Sequence, residues 1–153
     1  ETSRATLDIY RLYDSQNNYL AGNIKSEPSD VKVNEDGFGE NPVFGFIVAE
    51  EEGTIHGMSM YYWRYSTWKG PVIHLEDLIV TKEMRGTGLG TALLDEVVKY
   101  GDELGVRRIC WEVLDWNEPA IGFYESKGAN VMRDWDVVQL DQKGIKAYLN
   151  AIA

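Results

Sequence analysis

Apolar and polar positions divide the chain into segments of different period. From Leu7, the positions Leu7, Ile9, Tyr10, Leu12, Tyr13 and Leu20 follow a helical spacing, while residues 1–6 are ambiguous and could hold a short edge strand. Gly22 to Asn41 is polar, contains Pro28, Gly37 and Gly39, and reads as a loop of about twenty residues, long enough to suggest function or mobility. A meander follows. Phe44, Phe46 and Val48 alternate in a half-buried strand over Val43 to Glu50, and Glu51-Glu52-Gly53 makes a turn. Thr54 to Tyr65 is a second, aromatic-rich strand; Trp68 to Pro71 turns again; Val72 to Val80 is a third strand.

After Val80 the period changes to that of a helix. Leu89, Ala92, Leu93, Val97, Tyr100 and Leu104 share one face, Asp95, Glu96, Lys99 and Asp102 lie outside it, and Gly105 is placed to cap the end. Arg108 to Leu114 has few polar residues, as a central strand would. Asn117-Glu118-Pro119 carries an N-cap, an acid in the first turn and an early proline, and opens a helix that runs to Gly128. Val131 to Leu140 reads as a final strand or hairpin around Trp135, and Ile145, Tyr148, Leu149 and Ile152 could line a terminal helix. This order predicts an α/β (α+β) fold over residues 1–153 as a single domain, with a mixed, mostly antiparallel central sheet flanked by helices.

Composition narrows the partners. A chain of 153 residues buries about 70 % of its unfolded surface on folding, enough for one good core. A hydrophobic content of 44 % with 26 % charged residues describes a soluble globular protein, and neither a membrane span nor a signal peptide is evident, so a cytoplasmic location is expected. The net charge of -10 argues against nucleic acid and anionic membrane and suits a cationic substrate. The one cysteine, Cys110, has no zinc-ligand spacing around it and reads as a buried core thiol; His56 and His74 read as structural or surface residues. No metal is expected.

The candidate chemistry lies in Leu75 to Gly90, LEDLIVTKEMRGTGLG. Two carboxylates, Glu76 and Asp77, interrupt an apolar strand; strand alternation sends them to opposite faces, and burying either without a partner is costly. Arg85, Gly86, Gly88 and Gly90 then lead into the helix. A helix N-terminus offers unpaired N–H donors and a partial positive charge, and glycines let a ligand approach the backbone, so the loop suits phosphate. It is neither a Walker loop nor the Gly-x-Gly-x-x-Gly dinucleotide fingerprint.

Arg-Gly-x-Gly-x-Gly after such a strand resembles the acyl-CoA loop of the GCN5-related N-acetyltransferases. DGFGENP (Asp36 to Pro42), YYWRYSTWKG (Tyr61 to Gly70), LEDLIV (Leu75 to Val80), VLDWNEPAIGFY (Val113 to Tyr124) and KGA (Lys127 to Ala129) extend the likeness to the branch of spermidine/spermine and thialysine acetyltransferases. The resemblance implies an acetyl-CoA-dependent transfer to a primary amine within a ternary complex, by a chain that is usually a homodimer. It implies that Glu76 takes the amine proton and that Tyr124, in Phe123-Tyr124-Glu125-Ser126-Lys127-Gly128-Ala129, protonates the departing sulfur. Leu78, Ile79 and Val80 would pair with the pantetheine arm, Arg85, Gly86, Thr87, Gly88, Leu89, Gly90 and Thr91 would take the pyrophosphate, and Asn117 and Ala120 would meet the same arm beside Tyr124. Glu76, Asp77, Ser66, Trp68, Glu112 and Trp135 would face the amine.

The chain also departs from the pattern. Asn23-Ile24 falls where a Tyr-Glu pair meets the substrate's distal ammonium. The chain is shorter between Val33 and Asp36, as though a short second helix were missing. Ser66 replaces the Asp of the polyamine enzymes, as in the thialysine-type branch, so a lysine-like or thialysine acceptor is expected over a polyamine. Two other readings stay open: an acyl-CoA-binding sensor with little turnover, and a protein lysine or N-terminal acetyltransferase.

Overall fold

The computed structural model describes residues 8–12 and 33–153. Two compact units divide the chain, Glu1–Glu112 and Val113–Ala153.

The first unit is a five-stranded sheet with strands in sequence order: β1 (Asp8–Leu12), β2 (Phe44–Glu51), β3 (Thr54–Ser66), β4 (Gly70–Val80) and β5 (Ile109–Cys110). The first four pair antiparallel and β5 joins β4 in parallel, which gives the mixed, mostly antiparallel sheet that the pattern predicts. The β2–β3 turn is tight, and both of its central residues, Glu52 (φ 49°) and Gly53 (φ 82°), are left-handed; that geometry matches the twist of the flanking strands. Parallel β5 cannot be reached from β4 by a hairpin and needs a crossover. α2 (Leu89–Leu104) supplies it and ends at Gly105, whose φ of 72° suits a glycine.

α2 lies on one face of the sheet. Leu89, Ala92, Leu93 and Val97 are buried, and a Cβ on Gly57 of β3 would come within 2.9 Å of Leu93 Cδ1. The glycine is therefore what lets helix and sheet approach so closely. Gly101 has the same role at the other end of α2, where a Cβ would stand 2.7 Å from Ile109 Cδ1 of β5. On the opposite face, Phe44, Phe46 and Val48 form a cluster joined by Phe38, Met58, Met60 and Tyr62. Phe38 belongs to the short helix α1 (Val33–Phe38), and its ring stacks on Phe46 at 5.8 Å.

The second unit holds α3 (Glu118–Ser126) and α4 (Gln142–Ile152). Asn117 Oδ1 accepts from Ala120 N–H at 3.3 Å and Asp141 Oδ1 from Gly144 N–H at 2.7 Å, so both helices start on side-chain caps. Arg133 bridges Glu118 at 3.1 Å and donates to the Asp115 carbonyl.

Several expectations are corrected. Residues 8–12 are a strand, because β2 offers a register partner to each of them and tertiary pairing overrides a weak helical spacing; the rest of that pattern, with residues 1–6, lies outside the described residues. Residues 33–38 are helical, so a short helix does stand where one looked missing; the remainder of the polar stretch before residue 33, Asn23-Ile24 included, lies outside the described residues. The strand expected from Arg108 to Leu114 is only Ile109–Cys110 and sits at the sheet edge, not its centre. Val131 to Leu140 forms no strand; Val137, Val138 and Leu140 are exposed there, and among the described residues no partner strand receives them.

Leu93 is 0 % exposed at the α2–sheet contact. Leu93→Ala is expected to cost about 2–5 kcal/mol through lost burial and an unfilled cavity. Chemical denaturation checks this, and a loss under about 1 kcal/mol would show that α2 repacks.

Candidate active site

The site begins with a fault in the sheet. β3 and β4 pair in regular register from Ser66↔Gly70 to Tyr61↔Leu75, and then the partner of Met60 is Asp77, so Glu76 has none. This is a β-bulge, with one extra residue on β4. Its effect on direction is decisive. Met60 lies on the face of Tyr62 and Phe46, so its partner Asp77 lies there too, while Glu76 reaches His74, the partner of Tyr62, with Oε2 3.6 Å from Nε2. Both carboxylates therefore share the face opposite α2. The simple alternation that separates them fails because the bulge adds one residue, which flips every later side chain. Leu78 and Val80 turn toward α2, and Ile79 stands 51 % exposed on the other face.

Pairing on the outer side of β4 stops just before the bulge. β5 pairs only with Ile73 and His74, so among the described residues no strand runs beside Leu78 to Val80. That stretch offers free backbone groups to an extended, amide-bearing ligand in the manner of an added strand. It runs through Thr81 and a single 3-10 turn (Lys82–Met84) into the glycine loop.

The loop is shaped by its glycines. Gly86 (φ 79°) and Gly88 (φ 88°) are both left-handed, and a Cβ on Gly86 would meet nothing within 4 Å. Gly88 is the N-cap of α2 and provides no side-chain cap, and the first helical N–H to reach a backbone carbonyl is that of Ala92, on Gly88. The N–H groups of Leu89, Gly90 and Thr91 thus point out of the helix start with no acceptor in the turn before them. Thr87 Oγ1 donates to the Met84 carbonyl at 2.6 Å and Arg85 Nε to Val80 O at 3.4 Å, which pin the loop to the strand end. An open, N–H-rich turn on a helix of 16 residues, beside an arginine, fits a pyrophosphate.

The remaining candidates fall in three places. Asn117, Ala120 and Tyr124 lie on α3 in the second unit, with the Tyr124 ring 5.5 Å from Phe123; Asn117 spends its side chain on the helix cap. Trp135 is exposed in that unit, while Glu112 ends the first unit two residues beyond Cys110. Ser66 and Trp68 sit at the tip of the β3–β4 hairpin. Ser66 Oγ accepts from the N–H groups of Trp68 and Lys69, each at 3.2 Å, and Glu76 is six strand positions away, roughly 20 Å at the usual rise. One chain does not bring these two residues to Glu76.

Three residues that carry no site signal in the sequence meet here: His74 lies beside Glu76, and Tyr62 and Cys110 lie against His74. His74 is 5 % exposed, Tyr62 stacks on it at 4.8 Å, and Cys110 Sγ lies 3.4 Å from Nδ1. Cys110 is half-buried at the sheet edge rather than deep in the core. Its neighbours depend on a bulge and a two-residue parallel pairing, neither of which has a local sequence signal.

With this geometry in view, the comparisons give the class. The chain matches the acetyltransferase (GNAT) family over residues 7–129 and belongs to it. It is 37 % identical over 130 residues to a thialysine N-epsilon-acetyltransferase of Bos taurus, covering 80 % of this chain and 76 % of that protein. It is 38 % identical over 109 residues to the Sus scrofa protein of the same name, covering 66 % of this chain but only 64 % of the relative's length. In structure it resembles an integron cassette protein of V. cholerae (TM-score 0.67, 23 % identity, 76 % of this chain and 74 % of that one), a likeness of fold. Among the described residues no helix is long and apolar enough to cross a membrane.

Burial, then the charge of Glu76, raises the Tyr62 phenol above its usual 10.0, with Arg64 opposing. A phenol held protonated in the fold stabilises it fully below the unfolded value. As pH rises past that value the unfolded chain loses its proton first, so the stabilisation falls until the folded value is passed. Alkaline unfolding of Tyr62→Phe should lack this component, and Glu76→Gln should bring the Tyr62 titration partly back down in a spectroscopic titration. A Tyr62 titration unmoved by Glu76→Gln would show that the carboxylate does not face the ring.

Proposed function

We propose that this chain is an acetyl-CoA-dependent N-acetyltransferase that acetylates a primary amine of a small cationic substrate by direct attack in a ternary complex. The observation that carries the reading is the continuity of the open β4 edge at Leu78–Val80 with the N–H-rich loop at Arg85–Thr91, with a carboxylate at the bulge where that edge begins. The edge suits the amides of a pantetheine arm, and the loop suits the pyrophosphate of the same molecule. Asn117, Ala120 and Tyr124 would complete the coenzyme site.

Only the neutral amine attacks. Glu76 takes its proton, directly or through water, and Asp77 on the same face favours the approach of the ammonium form. The amine nitrogen bonds to the acetyl carbon while the carbon–sulfur bond breaks, Tyr124 gives its proton to the departing thiolate, and the proton that the new amide nitrogen sheds passes through water to restore the tyrosine. Holding amine and thioester together supplies much of the acceleration. Tyr124→Phe should lower kcat by about 10²–10⁴-fold with little change in acetyl-CoA affinity, and Glu76→Gln should lose turnover that higher pH partly restores. The assay is thiol release from acetyl-CoA over an amine panel. Full turnover by both variants would remove both roles, and coenzyme binding without turnover on any amine would instead support an acyl-CoA sensor.

For the acceptor, the thialysine relatives support a lysine-like amine over a polyamine. The supporting role first given to Ser66 is weakened, because its hydroxyl is engaged in the hairpin turn. We expect thialysine or lysine to exceed spermidine in kcat/KM, and a tenfold advantage for spermidine in a side-by-side assay would reverse the assignment. A single catalytic domain over residues 1–153, a homodimer and a cytoplasmic location belong to the same proposal.

A further inference from the structure

His74 is the one histidine in the buried part of this site, and both of its ring nitrogens face polar groups. Nδ1 stands 3.4 Å from Cys110 Sγ and Nε2 stands 3.6 Å from Glu76 Oε2. Tyr62 covers the ring at 4.8 Å with a tilt of 33°, so the imidazole is held in one orientation from the strand on either side. Glu76 has no such support of its own. It is the unpaired residue of the bulge, its side chain is 49 % exposed, and among the described residues no lysine or arginine pairs with it. A buried polar side chain is retained where its groups are matched, and here one of the matches is the carboxylate that the reaction needs.

We propose that His74 is a positioning residue that aims the Glu76 carboxylate, and that Cys110 fixes the tautomer in which it does so; the proposal rests on the reading of Glu76 as the base. A neutral imidazole carries one N–H. An ionised carboxylate can only accept, so the nitrogen facing it, Nε2, holds the hydrogen. Nδ1 is then a lone pair, and the thiol of Cys110 is the donor within reach; its other acceptor, the Ile73 carbonyl, is further away at 3.7 Å. Arg64 Nη1 donates to the same sulfur at 3.7 Å, which leaves the thiol hydrogen free to turn toward the ring. At 3.6 Å the Nε2–Oε2 contact is a directed electrostatic attraction rather than a full hydrogen bond. It restrains a side chain that the bulge would otherwise leave free, and it leaves the oxygen able to accept the amine's proton.

Two replacements separate this role from packing. Glutamine at 74 can place an amide N–H where Nε2 stands, whereas asparagine reaches only as far as Nδ1. Both lose the ring beneath Tyr62. His74→Gln should keep kcat within about threefold of the parent, and His74→Asn should lower kcat on the order of 10- to 100-fold, the scale of a misaimed catalytic group, with KM for acetyl-CoA unchanged in both. Equal losses in the two variants, or no loss in either, would make His74 a packing residue and overturn the proposal. The imidazole ¹⁵N spectrum of the otherwise intact chain, without substrates, gives a readout independent of turnover. It should report the Nε2–H tautomer in the parent, and a shifted balance in Glu76→Gln and in Cys110→Ala. A spectrum unchanged in both would also overturn the proposal. If Glu76→Gln retained full turnover, the base assignment itself would fall, and the ¹⁵N response would still decide whether Glu76 and His74 are coupled.

Discussion

One residue too many on β4 governs the rest. The extra residue at Glu76 turns Asp77 to the side of Glu76, and beyond it the backbone has no strand on its outer edge among the described residues. An unpaired strand edge is ordinarily a liability, since its N–H and C=O groups invite wrong partners. Here the exposed stretch is short, and it leads at once into a loop whose own donors point outward. The same irregularity thus makes room for an extended ligand and sets the acid groups at the start of that room. A regular strand would have sent one carboxylate toward α2.

Two close approaches keep the irregular strand in place. Gly57 lets α2 settle on β3, and Gly101 lets Ile109 come in under the far end of the helix. A methyl group at either would force the end of the Leu93 or Ile109 side chain to turn away from its present seat.

Much of the framework was legible in the residues. The period-two runs at Phe44–Val48 and the helical face from Leu89 to Val97 gave β2 and α2, and Asn117-Glu118-Pro119 marked the start of α3 to the residue. The glycine loop was legible because positive φ has a residue signature. Failures came where placement depends on a distant partner. Asp8–Leu12 has the spacing of a helix and becomes a strand because β2 receives it. Val131–Leu140 has the composition of a strand and finds no partner among the described residues. The bulge has no local signal, so the alternation of the strand gives the wrong face for one of the two carboxylates. His74 looked structural for the same reason: its meaning depends on Cys110, thirty-six residues away across a crossover.

The order of the strands also bears on how the chain reaches this state. β2, β3 and β4 are linked by tight turns, so their pairing closes only short loops. β5 returns to the sheet by way of α2, and it gains two paired positions for that longer closure. Pairings with large sequence separation are the slow ones. The contact between Cys110 and His74 therefore lies on a seam of two paired positions: the thiol side of the site rests on the least reinforced seam of the described sheet, while the carboxylate side rests on the meander.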